Sequence, residues 1–498
     1  MSASLKKELI TIGAAAVLLI IFALLPIGGI LRFFLMLIPF LVSVYDVAIS
    51  LYKKVASRNI LSEYTAIALA ALLAYIGGGY VEAVLVLLVF RLTSLFISFA
   101  KSKVTGTISR NIPASSERKS AKLPKLFMPI LCGLALLVLI IKLIADVSQW
   151  RDALYTASVL LALSYPIAIV TSVPMAFLSC VKKLERSGAI LGGHYVVERM
   201  ARCTSVIFDK TGILATPFMN VKAAHPELIG EEALLTLVNI AIKDSSEETA
   251  LLFKKAHPYS GEMKAERTEV LEGLGTIASV SGKIVSVGKC ELMKKMGIED
   301  YDAKAGESAL HVAMGRVYLG CIVTGELVNE DAERSLYRLK AHGIRHIAML
   351  SEDGMSETAR VAETLHAVDD YYPDLTYAKK KDTVDKLLAA NPSGTTALIG
   401  TKEALDLTAD INFLFASAPC EGADVTVTDN RIENVPLSLH AADATILAVK
   451  ENIIASLAIK FILTVLCITG VLGIFATFLI DTVVTVLTVL NALRLMIE

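Results

Sequence analysis

Asp209 has the position and the neighbours of a carboxylate nucleophile. It follows a short apolar run, Ser205 to Phe208, and precedes Lys210-Thr211-Gly212. In a parallel α/β sheet, the carboxyl ends of the strands face the ligand crevice. A carboxylate there can accept a phosphoryl group, which splits ATP hydrolysis into two easier steps. The pattern therefore predicts that Asp209 is a phosphoryl acceptor with Lys210 against the phosphate, and the alternative is a helix cap followed by a turn.

The composition of the whole chain is that of a membrane protein. Its 498 residues are 54% hydrophobic and 19% charged, with a mean hydropathy of +0.61. Eight segments approach the roughly 20 apolar residues that cross a bilayer. These predicted spans are 9–28, 30–51, 61–76, 80–100, 126–145, 153–180, 453–472 and 475–493. The net charge of −1 gives no reason to expect a nucleic-acid partner.

Basic residues cluster after alternate spans, at Lys6-Lys7, at 53–58 and at 101–125. The positive-inside rule then places both termini and the soluble region in the cytosol. The sequence therefore predicts a multi-pass integral protein of the plasma (inner) membrane. Its first span is long and is followed directly by a second, which favours an uncleaved anchor over a signal peptide.

The soluble region, about 182–450, has short apolar runs that end in polar residues. The runs 205–209, 346–353, 395–401, 411–417 and 424–429 are predicted strands of a doubly wound sheet, separated by helices such as 357–366 and 383–390. The middle segment, about 217–325, contains a predicted helix at 231–243. Predicted strands follow at 276–280, 283–287 and 310–314. Its periodicity alone indicates only a mixed α/β structure.

Further motifs occur in a characteristic order around the Asp209 segment. Tyr165-Pro166-Ile167 lies upstream, Ser351-Glu352-Asp353-Gly354 lies downstream, and Asn491-Ala-Leu-Arg494 is near the end. In this order the chain resembles the P-type ATPases, in particular the subfamily that exports zinc, cadmium or lead. The resemblance implies an α-helical membrane domain of about eight spans. It also implies a cytosolic α/β phosphorylation domain of the haloacid dehalogenase type, with an inserted α+β nucleotide-binding domain.

The implied domain boundaries follow from these motifs. Residues 1–100 carry spans one to four, 126–181 spans five and six, and 451–498 the last two. The phosphorylation domain comprises 182–216 and 326–450, and the nucleotide-binding domain is 217–325.

The resemblance implies a phosphorylation site with ATP and Mg²⁺ as its cofactors. Thr211 neighbours the phosphate and the metal ion, Ser351 keeps a hydroxyl and Asp353 a carboxylate, and Lys380 has the place of the phosphate-binding lysine. For Lys380, a solvated basic helix start is the alternative. Segment 400–405, where the family has its two Mg²⁺-binding aspartates, reads Gly-Thr-Lys-Glu-Ala-Leu. The Mg²⁺ site is therefore expected to be degenerate. The alternatives are that Glu403 or Asp406 reaches the ion from a shifted position, or that Lys402 places a positive charge where the ion would lie.

The inserted domain has candidate adenine-binding residues. By the resemblance, Gly273, Gly275 and Gly288 line the adenine pocket, and His257 is a candidate adenine contact. Ordinary β-turns explain the glycines equally well, and a plain loop explains the histidine.

The family's actuator domain is missing between the fourth and fifth predicted spans. Only a basic linker, 101–125, fills the gap, with seven basic side chains against one acidic residue, Glu117. A segment of this length is too short for a domain and is expected to lie on anionic headgroups. The chain thus resembles a reduced or degenerate member, and a separate protein partner could supply an actuator.

Two ionisable residues lie within the last predicted spans. Lys460 and Asp481 match the lysine and aspartate of zinc-type pumps, and such a pair can hold a divalent cation. A buried salt bridge that joins two spans is the alternative. Pro166 keeps the family's helix-breaking proline but lacks its cysteine neighbours, so a soft-metal site there is doubtful.

Two functional hypotheses remain open from the sequence. The first is an ATP-driven heavy-metal cation transporter with impaired turnover, and the second is a non-pumping pseudo-ATPase that acts as a membrane binding or regulatory protein. A phosphatase is a weaker third, because Thr211 occupies the place of its usual second acid. The sequence leaves catalytic competence undecided.

Overall fold

The computed structural model describes residues 3–105, 122–193, 195–226, 228–243, 253–254, 257–259, 261, 264–271, 274–298 and 309–497. The chain divides into two compact units. The first comprises Met1–Arg202, Ala418–Asp429 and Leu437–Glu498, and the second comprises Cys203–Ser417 and Asn430–Pro436. The central part of the basic linker, 106–121, lies outside the described residues.

The described secondary structure is mostly helical outside the soluble region. The α-helices are α1 (Ala3–Leu24), α2 (Gly29–Ala56), α3 (Glu63–Ile76), α4 (Tyr80–Thr105), α5 (Lys122–Ala145), α6 (Trp150–Ala162), α7 (Ile167–Arg186), α8 (Tyr195–Met200), α9 (Glu231–Ala241), α10 (Cys290–Lys295), α11 (Glu330–His342), α12 (Met355–Thr364), α13 (Tyr377–Ala390), α14 (Asn434–Ile468) and α15 (Ile474–Arg494). The strands are β1 (Ala189–Leu191), β2 (Cys203–Asp209), β3 (Ala215–Pro226), β4 (Arg267–Leu271), β5 (Gly275–Val280), β6 (Lys283–Gly288), β7 (Ala309–Met314), β8 (Val317–Val328), β9 (His346–Leu350), β10 (Asp370–Tyr372), β11 (Thr395–Gly400), β12 (Ile411–Phe415) and β13 (Val425–Val427).

The prediction of a membrane protein is confirmed by the length and composition of the helices. Within the described residues, six helical segments are long and apolar enough to cross a bilayer. They are Gly29–Ala56, Tyr80–Val104, Lys125–Ala145, Val147–Arg186, Asn434–Ile468 and Ile474–Arg494. The helices at Glu8–Leu24 and Glu63–Ile76 are apolar but shorter, so the predicted number of eight spans is approximate.

The predicted span 153–180 is not one continuous helix. Helix α6 ends at Ala162, and α7 begins at Ile167 with Pro166 as its N-cap residue. Proline has no backbone N–H and its ring clashes with the preceding turn, so the chain cannot pass through this point as regular helix. The break leaves the backbone groups around Leu163 available to other partners.

Small side chains allow close packing inside the membrane unit. Helix α3 packs against α6 and α4, and its residues Ala66, Ala70, Ala71 and Ala74 are completely buried. Small residues let helix backbones approach closely where lipid offers no hydrophobic driving force. The same unit contains an antiparallel strand pair, β1 with β13, beside which Arg199 donates to Asp424 at 2.6 Å.

The second unit contains the parallel strands that carry Asp209. These strands lie side by side in the order β12, β11, β2, β9, β10. Asp209 at the end of β2 is in register with Leu350 at the end of β9. Because the strands are parallel, the residues after β2, β9 and β11 meet at one edge.

The five predicted strands are all present, although β2 begins two residues earlier than predicted and the other four are shorter. Helix α12 lies two residues before the predicted 357–366, and one helix differs more. Helix α13 begins at Tyr377 rather than at residue 383. Lys380 therefore lies within the helix, and its backbone N–H donates to Thr376 O at 2.8 Å. The alternative of a solvated helix start does not hold for Lys380, because the residue is only 6% exposed.

The inserted segment forms a six-stranded antiparallel sheet. Its order is β3, β8, β7, β6, β5, β4, so that the long pair of β3 with β8 opens and closes the insertion. Helix α9 packs Leu234 and Val238 onto the buried valines of the sheet, such as Val285. Strands β3, β4 and β8 are additions to the predicted set. Strand β4 has the polar sequence Arg-Thr-Glu-Val-Leu, which alternates too weakly to be recognised.

Candidate functional site

The structure brings Lys380 onto Asp209. The Lys380 ammonium donates to both carboxylate oxygens of Asp209, at 3.0 and 3.2 Å. Both residues are buried, with exposures of 6% and 7%. The two residues are 171 positions apart in the sequence, with Asp209 in β2 and Lys380 in α13. A lysine in this position has the charge that would offset a phosphoryl group on the carboxylate.

The charge of Lys380 is maintained by its acidic neighbours. Burial lowers the pKa of Lys380, but the charges of Asp209 and Glu352 and their hydrogen bonds outweigh burial and raise it. Glu352 Oε1 is 3.1 Å from the Lys380 ammonium. Lys380 is therefore cationic at physiological pH and can neutralise negative charge on a phosphoryl group.

Lys210 and Asp353, in the loop after β9, form a second charged pair at the same edge of the sheet. The Lys210 ammonium donates to Asp353, and its backbone N–H donates to Leu350 O at 2.9 Å. The Lys210 side chain is completely buried. The Asp353 N–H donates to Ser351 Oγ at 3.1 Å, which fixes the loop. Lys210, Ser351 and Asp353 thus lie together as predicted from their positions after neighbouring strands.

The turn after Asp209 brings Thr211 to the surface. Gly212 has a φ of +80°, a conformation that favours glycine, and its N–H donates to Ala215 O at 2.8 Å. A Cβ atom on Gly212 would be 2.9 Å from Thr401 Cγ2. Thr401, from the loop after β11, therefore lies directly against this turn.

The loop after β11, which has the place of the family's Mg²⁺-binding loop in the sequence, lies beside Asp209. A Cβ atom on Gly400 would be 3.7 Å from Asp209 Cβ and 2.5 Å from Ala404 Cβ. Neither Thr401 nor Ala404 carries a carboxylate. The two aspartates of the site face lysines, Asp209 with Lys380 and Asp353 with Lys210.

Mg²⁺ prefers several oxygen ligands, usually including one or two carboxylates. In the part of the chain that the structure describes, no three His, Cys, Asp or Glu side chains are grouped so that they could hold a metal ion. Among the described side chains, the loop after β11 therefore supplies no carboxylate for the Mg²⁺ ion of the family pattern, and the carboxylates of Asp209 and Asp353 are each paired with a lysine.

Two of the predicted adenine-pocket glycines are neighbours across the inserted sheet. Gly275 of β5 pairs with Gly288 of β6, and Gly275 has a φ of +138°. A Cβ atom on Gly275 would come within 2.3 Å of Val287 O, so close backbone approach by itself requires glycine here. Gly273 lies outside the described residues. His257 packs on Phe253, with ring centroids 5.3 Å apart.

The membrane unit holds a completely buried ion pair. The Lys460 ammonium of α14 is 2.9 Å from Asp481 Oδ1 and donates to Oδ2 at 3.0 Å. It also donates to the carbonyl of Leu163 at 3.1 Å, in the break before Pro166. The structure therefore brings the predicted residues Lys460 and Asp481 together, and it adds the interrupted helix to the same site.

Several contacts were not expected from the sequence. The contact of Glu352 with Lys380 is one, and the Leu163 carbonyl is another, because a backbone group gives no sequence signal. Arg91 of α4 donates to Asp46 of α2, and Arg91 is buried. This pair had a visible signal, because ionisable residues within apolar spans are costly and by default functional.

The amino-acid sequence is similar to those of several metal-transporting ATPases. A family of haloacid dehalogenase-like hydrolases matches residues 204–396. The cadmium, zinc and cobalt-transporting ATPase of Helicobacter felis is 25% identical over 388 residues, which are 76% of this chain and 57% of that protein. The zinc-transporting ATPase of Synechocystis sp. is 26% identical over 390 residues, which are 75% and 53%. The chain spans about half the length of the curated relatives it matches.

A solved structure has the same fold. The crystal structure of a zinc-transporting PIB-type ATPase in the E2.Pi state matches with a TM-score of 0.69 and 21% identity. The match covers 98% of this chain and 100% of that chain. The predicted resemblance to the heavy-metal-transporting P-type ATPases is therefore confirmed, as is the predicted fold class.

Proposed function

We propose that this chain is an ATP-dependent transporter of a divalent heavy-metal cation in which Asp209 is the phosphoryl acceptor and turnover is impaired. The observation that carries the proposal is the contact of the Lys380 ammonium with both oxygens of Asp209. The names of the relatives, which include zinc, cadmium and cobalt transporters, support the choice of substrate.

In the proposed phosphorylation step, a carboxylate oxygen of Asp209 attacks the γ-phosphorus of ATP. A new bond forms between this oxygen and phosphorus, and the bond from phosphorus to the β–γ bridging oxygen breaks. ADP leaves with the electron pair. Lys380 must then shift its hydrogen bonds from the carboxylate oxygens towards the transferred phosphoryl oxygens, and its positive charge offsets the charge that develops on them.

The remaining parts are assigned by the same proposal. Residues 217–325 bind the nucleotide, 182–216 and 326–450 form the phosphorylation domain, and 101–125 is a linker in place of the actuator. Phosphorylation is slow because the loop beside Asp209 lacks the two aspartates of the family pattern, and hydrolysis of the acyl phosphate is slow because the linker is too short for an actuator domain. A partner protein that supplies an actuator would restore turnover.

The membrane-embedded site of the proposal is Asp481 with Lys460. A transported divalent cation would replace the Lys460 ammonium at the Asp481 carboxylate, and Lys460 would return as the counter-ion when the cation leaves. The break at Pro166 adds backbone carbonyls as oxygen ligands. The proposal places both termini and the soluble region in the cytosol, in the plasma (inner) membrane.

A transport assay tests this function. Inverted membrane vesicles that contain the full chain should accumulate radioactive Zn²⁺ or Cd²⁺ when ATP is added, and vesicles with Asp209→Asn should not. Asp481→Asn should abolish accumulation but leave ATP binding intact. Equal accumulation by wild type and Asp209→Asn would refute the proposed function.

A second candidate is a pseudo-ATPase that binds nucleotide or a partner without turnover. The observation that favours it is that Thr401 and Ala404 occupy the loop beside Asp209 without a carboxylate. For this candidate, vesicles should show nucleotide binding but no ATP-dependent accumulation by wild type.

A further inference from the structure

The membrane unit contains a cavity of about 580 Å³ at the end where basic residues collect. The cavity lies between helices α2, α4, α5 and α7 and the turn that follows α2. It is distinct from the Lys460–Asp481 site, because none of its lining residues belongs to α14 or α15. Cavities of 300–1,000 Å³ are typical of small-molecule sites.

Four cationic side chains line this cavity. Lys54 extends from the last turn of α2, Arg58 from the turn after it, Lys101 from α4 and Lys125 from α5. The described residues that line the cavity include no aspartate and no glutamate. Cationic side chains gathered around one space focus a positive potential within it. This potential attracts an anion and repels a divalent cation.

The inner wall of the cavity is apolar. Tyr165 and Met175 are buried at 9% and 3% exposure, and Ile97 and Leu178 are partly buried. The hydroxyl of Thr171, which also lines the cavity, donates to Ile167 O at 2.7 Å and so is already used within α7. The space therefore combines a cationic rim with an apolar wall, which suits an anion that carries a hydrocarbon chain.

We propose that this cavity binds a phosphate-bearing anion. A phospholipid headgroup and a free phosphate share the chemistry that the four cations recognise, which is a doubly or singly charged phosphate group. The apolar wall would accept the first carbons of an acyl chain. Basic pockets between membrane helices are a known way to bind anionic headgroups.

The cavity also touches the interrupted helix. Tyr165 lies on its wall and immediately precedes Pro166, and it is two residues from Leu163. The Leu163 carbonyl accepts from the Lys460 ammonium at 3.1 Å. An anion in the cavity is thus in contact with the same break that orients Lys460, and its binding stabilises one geometry of this break.

The test compares two full-length variants that each lose four positive charges. The cavity variant is K54Q/R58Q/K101Q/K125Q. The surface variant is K53Q/K103Q/K183Q/R186Q, which changes the same ends of α2 and α4, and the last turn of α7, at positions that do not line the cavity. Each protein is purified in detergent, incubated with phosphatidylcholine or with phosphatidylglycerol, and analysed by native mass spectrometry for retained lipid.

We expect wild type and the surface variant to retain phosphatidylglycerol in preference to phosphatidylcholine, and the cavity variant to bind it roughly a hundredfold more weakly. A second arm titrates inorganic phosphate into lipid-free protein and follows the melting temperature. If phosphate stabilises wild type and the surface variant, but not the cavity variant, while phosphatidylglycerol is not preferred, then the anion comes from solution.

Two results would overturn the proposal. One is equal loss of anion binding in both four-charge variants, which would mean a general surface effect. The other is no preference for either anion in wild type. Ile97→Trp keeps all four charges and fills the cavity with an indole ring. This variant replaces the cavity variant in the test if the cavity variant does not fold. It should also lose phosphatidylglycerol retention, and retention at the wild-type level would contradict the proposal.

Discussion

The ammonium of Lys380 lies 3.0 and 3.2 Å from the two carboxylate oxygens of Asp209, with both side chains buried. A lysine so placed is a charge partner of the Asp209 carboxylate, and in the proposed function it lies beside the incoming phosphoryl group. The same contact makes Lys380 part of the folded structure as well as of the site. Its loss should therefore be visible in stability and in phosphorylation.

Lys380→Met should destabilise the second unit and prevent phosphorylation. The substitution keeps most of the packing but leaves the buried Asp209 carboxylate without its partner, which costs about 3–5 kcal/mol. Because the folded pKa of Lys380 is raised, the contribution of the pair is present at neutral pH. It is lost only as pH rises above about 10.4, the unfolded value, through the folded pKa.

Thermal unfolding of the full chain in detergent measures this effect, with Lys379→Met as the control on the same helix. A wild-type melting temperature for Lys380→Met would contradict the structural part of the account. Asp209→Asn/Lys380→Met should be more stable than Lys380→Met alone, because the buried carboxylate that lost its lysine is then replaced by a neutral amide.

The intramembrane pair should behave as a coupled unit. Lys460→Met or Asp481→Leu alone leaves one buried charge and should cost about 3–5 kcal/mol. The double variant Lys460→Met/Asp481→Leu should recover most of that loss. A double-mutant cycle on melting temperatures measures the coupling, and Lys450→Met, an exposed lysine of the same helix, is the control. Strictly additive losses would show that the two side chains do not act on each other.

Acid should weaken the second unit partly through Asp369. Burial raises the pKa of Asp369, but the hydrogen bond from Lys340 and the 2.7 Å bond from the Ile347 N–H outweigh it and lower the pKa. A lowered folded pKa stabilises the protein above the unfolded value, and this stabilisation is lost as pH falls through the folded value.

Asp369→Asn should therefore lower the melting temperature at neutral pH and reduce its decline below about pH 4. Asp385→Asn, at an exposed position of α13, should leave the acid branch of the curve unchanged. If the Asp369→Asn curve runs parallel to wild type at all pH values, the contact does not contribute as described.

Restoring carboxylates beside Asp209 should increase Mg²⁺-dependent phosphorylation. Thr401 and Leu405 have the places of the family's Mg²⁺-binding aspartates, and Thr401 lies against the turn after Asp209. Thr401→Asp/Leu405→Asp should raise phosphoenzyme formation by about tenfold or more at millimolar Mg²⁺. The uncharged variant Thr401→Asn/Leu405→Asn controls for a change of shape. An equal rise in both variants would show that carboxylate ligands are not what the site lacks.

The grouping of Asp209 with the loop that begins at Ser351 was predictable from the sequence, because the ends of buried strands can be recognised. The apolar runs before Asp209 and Ser351 have the period and length of buried parallel strands, and such strands deliver their following residues to one edge. The Lys380 contact was expected from resemblance. Its burial was not, because a run of three lysines is usually exposed, and only the earlier start of α13 buries the middle one.

Other features could not be inferred from the sequence. The cavity depends on how Lys54, Lys101 and Lys125 converge from three helices, and no periodicity carries that information. The Leu163 carbonyl became a partner of Lys460 only because the helix is interrupted at this exact point. Strand β4 is polar and borders the sheet, so its pairing is fixed by neighbours rather than by its own pattern.

The most direct test of the central claim is acid-stable labelling of the purified full chain. The protein is incubated with γ-labelled ATP and Mg²⁺, quenched in acid and treated with hydroxylamine, which cleaves acyl phosphates. The account predicts hydroxylamine-sensitive label on wild type, and none on Asp209→Asn or Lys380→Met. Absence of label on wild type that demonstrably binds ATP, or equal label on Asp209→Asn, would contradict it.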